Sequence, residues 1–75
     1  MLLAESMFLK LGYVCVQNTP GLKKYYNKTK LEKIIFYKNK KEYSAKRESA
    51  SAVLVVNMET HLAINQQIKE FGWFE

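Results

Sequence analysis

Few residues of this 75-residue chain are of the types that catalyse reactions or hold metals. Cys15 is the only cysteine and His61 the only histidine, so neither a multi-cysteine zinc site nor a histidine pair exists. A thiol nucleophile with an imidazole base would need these two residues to meet in space, and no local motif supports such a pair. We interpret Cys15 as a small buried thiol and His61 as an imidazole on a helix surface.

The other reactive groups fit structural positions better than catalytic ones. The seven carboxylates are scattered, and Glu59 and Glu70 suit a helix rather than a paired acid and base. The three glycines, Gly12, Gly21 and Gly72, stand at the ends of predicted elements and form no phosphate-binding loop. We therefore expect no catalytic residue, no metal, no organic cofactor and no small-molecule substrate, and hence no enzyme.

The clearest functional signal is a segment in which lysines are interleaved with aromatic residues. Residues 22–48 hold ten of the twelve basic residues and three acids, a local net charge of +7 in a chain of +5. Exposed tyrosines could stack on bases while lysines neutralise phosphates, as in proteins that bind single strands. The candidate contacts to nucleic acid are Lys23, Lys24, Tyr25, Lys40 and Lys41.

Genome composition offers another explanation for the lysines. Eleven of the twelve basic residues are lysine, beside many Asn, Ile and Tyr, a bias that AT-rich genomes impose without any binding function. Phosphate recognition more often uses arginine, whose planar fork binds bidentately. The sequence also matches no aromatic RNA-recognition signature, no glycine-hinged KH loop and no helix-turn-helix. The first hypothesis is therefore a non-enzymatic accessory or interaction protein, and nucleic-acid binding is the alternative.

Apolar periodicity predicts one domain over residues 1–75, a two-layer α+β fold with an antiparallel meander of three to five strands between two helices on one face. An N-terminal helix is predicted over Leu3–Leu11, and a C-terminal one begins after the N-cap Asn57 and ends at Gly72. Strands are predicted at Tyr13–Gln17, Leu22–Lys28, Leu31–Lys38 and Glu42–Arg47, the third of them central and the fourth at an edge. Residues 49–52 are predicted to be a connector. Val53–Val56 are predicted to form either a short last strand or an extended, buried segment that leads into the helix.

The residue types in two turns predict their backbone conformation. Asn18–Gly21 is typical of a type II turn, in which Gly21 takes the positive φ of the third position. Lys38–Lys41 predicts a tight hairpin with Asn39 in the left-handed region.

The C-terminal helix is apolar on two sides. A core stripe is formed by Ile64, Ile68 and Phe71, and a second sector roughly opposite to it by Met58, Leu62 and Trp73. Leu2 and Leu9 lie off the main stripe of the N-terminal helix and add to this second side. Large exposed apolar patches on small proteins usually mark interfaces, so we expect a homodimer through the helices.

Motifs spread over most of the chain resemble those of a group of short proteins of Gram-positive bacteria and their prophages. The resemblance rests on MFLKLGY near the start, on YY and IIFY in the middle, and on LAINQQIKEFGW at the end. These residues are structural, so the resemblance implies a shared fold unit and a mobile-element origin and carries over no catalytic residues.

The apolar start has no basic segment before it, and Glu5 and Lys10 interrupt it, so we expect no signal peptide, no membrane span and a cytoplasmic protein.

Overall fold

The structure, a computed structural model, describes residues 3–48 and 55–74. Its elements in chain order are α1 (Leu3–Lys10), β1 (Tyr13–Asn18), β2 (Leu22–Asn27), β3 (Glu32–Tyr37), β4 (Glu42–Arg47) and α2 (Met58–Phe71). The strands form one antiparallel sheet in the order β1-β2-β3-β4, and both helices pack on the same face of it. The predicted α+β fold is confirmed, with β3 inside the sheet and β4 at an edge.

Local signals define both ends of α2, as predicted. The Asn57 Oδ1 atom accepts a hydrogen bond from the Thr60 backbone N–H at 2.8 Å, which satisfies a donor of the first turn. At the other end Gly72 has φ +74°, and the following Trp73 N–H donates to the Ile68 carbonyl at 3.2 Å. The chain therefore leaves the helical path at Gly72.

Aromatic rings from both layers meet in the core between the sheet and the helices. Phe8 of α1 stacks on Tyr25 of β2 with 4.0 Å between ring centroids. Phe36 of β3 meets these two rings edge-on, at 6.3 and 6.2 Å. The predicted stripe of α2 completes the core: Ile64 is buried in it, and Ile68 and Phe71 pack against it.

The segment before α2 differs from the prediction. Val55 and Val56 are unpaired and exposed, Val55 to 78%, so the expected buried lead is wrong for these two residues. Leu2, the connector at 49–52 and the remainder of the predicted lead, Val53 and Leu54, lie outside the described residues. No helix within the described ranges is long and apolar enough to cross a membrane.

The first hairpin closes without the predicted type II turn. Gly21 is not among the residues with positive φ, and Thr19 and Leu22 instead exchange backbone hydrogen bonds of 2.8 and 3.3 Å across Pro20 and Gly21. Because no left-handed residue is needed here, a glycine at position 21 is not required by the backbone.

The two longer turns place a left-handed residue immediately before the next strand. Lys41 has φ +55° before β4, where the sequence pointed to Asn39, and Leu31 has φ +56° before β3. Both are non-glycine residues in a conformation that costs about 1 kcal/mol. The prediction for Asn39 is wrong because the turn spans four residues and the last of them, rather than Asn39, is left-handed.

Replacing Lys41 with glycine should therefore raise the free energy of unfolding by roughly 0.5 kcal/mol, since relief of the left-handed strain exceeds the extra entropy of glycine in the unfolded chain. The matched control is Lys40→Gly, which relieves no such strain and should lower stability by about 0.5–1 kcal/mol. Urea titration followed by circular dichroism distinguishes the two variants. Equal losses in both would contradict the left-handed assignment.

Candidate functional site

The sheet has one face covered by the helices and one that the described helices leave open. Side chains of consecutive residues in a strand point to opposite faces of the sheet. The residues that alternate with the core residues along β2 and β3 therefore lie on the open face. Strand pairing places Lys24 beside Ile35 and Ser44 in the middle of this face. Val14, Tyr26, Lys33 and Lys46 form the adjacent row, and Leu22, Tyr37 and Glu42 the opposite one.

Lysines occupy the middle of the open face and surround its ends. Lys24, Lys33 and Lys46 lie on the face itself. The turn after β2 adds the exposed Lys28, and the turn after β3 adds the exposed Lys40 and Lys41. Together these six ammonium groups create a positive potential that attracts anions to this side of the molecule.

Two tyrosines lie on the same face and are partly exposed. Tyr26 and Tyr37 are about 14 Å apart, an estimate from four residues along a strand and one strand spacing. Lys24 and Ile35 lie between them, and Ile35 is buried by its neighbours. The arrangement offers two aromatic rings on either side of a basic centre.

Carboxylates bound the positive zone. Glu42 pairs with Tyr37 across β3 and β4, and Glu48 accepts a hydrogen bond of 2.9 Å from the Tyr26 hydroxyl. This hydrogen bond raises the pKa of Tyr26 above its ordinary value. Negatively charged groups of a ligand would therefore lie along the lysine-bearing centre, whereas its uncharged parts could still reach Tyr26 and Tyr37.

The predicted contact set is only partly placed on this surface. Lys24 lies on the open face, and Lys40 and Lys41 are exposed in the adjoining turn. Lys23 and Tyr25 face the helices and are each 1% exposed, so these two residues are wrong as nucleic-acid contacts in the folded chain.

Both misplaced residues have partners inside the protein. The Lys23 ammonium lies 2.8 Å from the Glu5 carboxylate and 5.4 Å from the centroid of the Tyr25 ring. The Tyr25 hydroxyl donates to the Gln67 side-chain oxygen at 2.6 Å, and burial raises the pKa of this tyrosine. Lysine and tyrosine alternate here on both sides of one strand, so composition alone could not identify the solvent side.

Sequence reasoning missed four residues of the open face: Tyr26, Lys33, Tyr37 and Lys46. The signal that would have found them is the strand register, because each lies on the same side as Lys24 once β2, β3 and β4 are paired. Single-strand alternation cannot supply this register.

A buried polar cluster on the helix side holds the strand ends together. The Glu32 carboxylate accepts from the Tyr13 hydroxyl at 2.9 Å and from the Arg47 guanidinium at 2.7 and 3.1 Å. Burial, and then the bond to Glu32, raises the pKa of Tyr13. Both oxygens of Glu32 are engaged, so this carboxylate ties β1, β3 and β4 together rather than offering a free acid or base.

The residues with the most reactive side chains lie apart. Cys15 lines a hollow beside α1, whereas His61 lines another beside Met58 and Tyr43. His61 is exposed on α2 as predicted, but Cys15 is exposed and the prediction of a buried thiol is wrong. Within residues 3–48 and 55–74, no three His, Cys, Asp or Glu side chains are grouped to hold a metal.

A scan of protein-family models, a search of curated proteins and a search of solved structures each gave no match.

Proposed function

We propose that this chain is a small, non-catalytic nucleic-acid-binding protein that uses the open face of its sheet. The observation that carries the proposal is the grouping of Lys24, Lys33 and Lys46 with two tyrosines on a face that the described helices do not cover. The separation of Cys15 from His61 in different hollows supports a binding role over a catalytic one.

The distribution of charge supports an anionic partner on this side. Residues 22–48, which form most of the sheet and its turns, carry a net charge of +7. By contrast α1 has one acid and one base, and α2 has Glu59 and Glu70 against Lys69. Because the helices are nearly neutral, an approaching polyanion is oriented toward the sheet.

The tyrosines favour single strands over duplexes. A duplex hides the faces of its bases, whereas an unpaired strand can lay them on aromatic rings while its phosphates reach lysines. Tyr37 and Tyr26 are separated by roughly two nucleotide steps of an extended strand at ~6–7 Å each, and Lys24 lies between them. A strand crossing the face could thus contact rings and ammonium groups in alternation.

An accessory role in a phage or other mobile element fits this activity, and the resemblance of the chain ends to short prophage proteins supports it. Such a protein would act in the cytoplasm, where single-stranded intermediates of replication and transcription occur. The identity of the neighbouring genes tests this part of the proposal.

Binding should weaken when lysines of the open face lose their charge. Lys24→Gln with Lys33→Gln should lower the affinity for a fluorescent single-stranded oligonucleotide about tenfold at ~50 mM salt, and should reduce the slope of log K against log salt by about 1.4. Fluorescence anisotropy over a range of salt concentrations measures both quantities.

The matched control is Lys30→Gln with Lys69→Gln, which removes the same charge from the helix side of the molecule and should change affinity much less. Replacing Tyr37 with leucine should weaken the single strand more than the duplex, because stacking contributes only to the former. Absence of binding at ~50 mM salt, or equal losses in both lysine pairs, would refute the proposed face.

A further inference from the structure

A hollow between the two helices lies on the other side of the molecule from the open sheet face. The helices are antiparallel: the Ala4 N–H near the start of α1 donates to the Glu70 carboxylate near the end of α2 at 2.8 Å. At the other end of the pair, Leu11 and Leu62 line a common hollow of about 210 Å³. This hollow, which we call the groove between the helices, therefore lies between the end of α1 and the start of α2.

The groove is lined by apolar side chains and by one residue of opposite charge from each helix. Met7, Leu11 and Leu62 form its apolar part, and Leu62 is 50% exposed. Lys10 stands on the α1 wall and Glu59 on the α2 wall. The ion pairs found among the described residues are Lys23–Glu5 and Arg47–Glu32, so Lys10 and Glu59 do not neutralise each other across the groove.

We infer that the groove binds a second copy of this chain, related by a two-fold axis that runs parallel to the helices along the groove. Rotation about this axis lays α1 of each copy antiparallel against α2 of the other, as in a four-helix bundle. It brings Lys10 of each copy opposite Glu59 of the other, and Leu62 opposite Met7 and Leu11. The surface is thus complementary to itself in charge.

This self-complementarity selects a second copy among the partners that an apolar groove could accept. One base and one acid on opposite walls form two ion pairs with a partner that presents an acid and a base at the same spacing, and a second copy rotated by the two-fold axis presents this pair. The net positive charge of the chain does not oppose the association. The two sheet faces lie outermost, separated by roughly 30 Å for four layers of ~10 Å, which is several Debye lengths at physiological salt.

The dimer surface differs from the one expected from the sequence. Trp73 packs toward the core, 5.2 Å from Phe71 and 6.2 Å from Phe36 between ring centroids, so its place on the second apolar side is wrong. Met58 is exposed but lines a separate hollow with Tyr43 and His61. Of the three predicted residues, Leu62 alone lines the groove between the helices.

Sedimentation equilibrium from low to high micromolar protein tests the inference. The wild type should approach the mass of a dimer, and Leu62→Asp should be monomeric with an unchanged circular dichroism spectrum. Lys10→Glu and Glu59→Lys should each raise the dissociation constant at least about tenfold, since each variant places like charges together at both rims. A mixture of these two variants should associate again, because every rim contact then joins opposite charges.

Met58→Asp is the control outside the groove and should dimerise like the wild type. A monomeric wild type at high micromolar concentration would overturn the inference. So would dissociation by Met58→Asp equal to that by Leu62→Asp, or a failure of the mixed variants to associate. The result is independent of nucleic-acid binding, which the anisotropy measurement reports separately.

Discussion

Replacing Phe36 with alanine should lower the free energy of unfolding by about 3–5 kcal/mol. The side chain is fully buried, and its ring lies within 6.3 Å, centroid to centroid, of five others: Phe8, Tyr25, Tyr43, Phe71 and Trp73. Removing it opens a cavity where β3, α1 and α2 meet, and the surrounding rings are too rigid to fill the space. A domain of this size has roughly 4–11 kcal/mol in total, so much of its stability would be lost.

Urea unfolding followed by circular dichroism measures this loss. Phe36→Leu keeps most of the volume and should cost less than about 1.5 kcal/mol, so it controls for the loss of the aromatic ring alone. A loss below about 1 kcal/mol for Phe36→Ala would mean that the core is not organised around this ring.

The second large effect concerns the buried lysine of β2. Glu5→Ala should cost about 2–3 kcal/mol, because it leaves the Lys23 ammonium without its carboxylate in the protein interior. The lysine side chain is 2% exposed, whereas that of Glu5 is 43% exposed and in contact with water. The expected loss of stability is therefore at the lower end of what breaking a buried ion pair costs. Lys23→Met removes the charge together with the need for a partner and should cost less than about 1 kcal/mol.

A double-mutant cycle isolates this interaction. In the Lys23→Met background, Glu5→Ala should cost only about 0.5 kcal/mol, since no buried charge is then left behind. Equal costs in the two backgrounds would show that Glu5 stabilises α1 independently of Lys23. Because Lys23 lies on the helix side, Lys23→Met should leave oligonucleotide binding unchanged, in contrast to the change at Lys24.

Prediction from sequence succeeded where the information was local. Asn57 and Gly72 each act through atoms within one turn of the chain, so the bounds of α2 followed from residue types alone. Trp73 was placed wrongly because a helical wheel was continued past Gly72, where the left-handed backbone has already turned the chain toward the core. The angle of a residue on a helical wheel therefore does not describe the direction of its side chain after Gly72.

The candidate site depended on information that is not local. Positions 23–26 read Lys-Lys-Tyr-Tyr, so each side of β2 receives one lysine and one tyrosine, and no hydrophobic difference identifies the inner side. Contacts with α1 determine which side of β2 faces inward, because Glu5 pairs with Lys23 and Phe8 stacks on Tyr25. A contact across layers thus determines which half of the basic segment remains on the surface.

The sheet order β1-β2-β3-β4 also has a consequence for the time course of folding. Every strand pairs with its neighbour in the chain, so each hairpin closes a short loop and the whole sheet can assemble at low entropic cost. The bond between Ala4 and Glu70, in contrast, joins residues 66 positions apart. We therefore expect the meander to form early, and α2 to dock last and complete both the core and the groove between the helices.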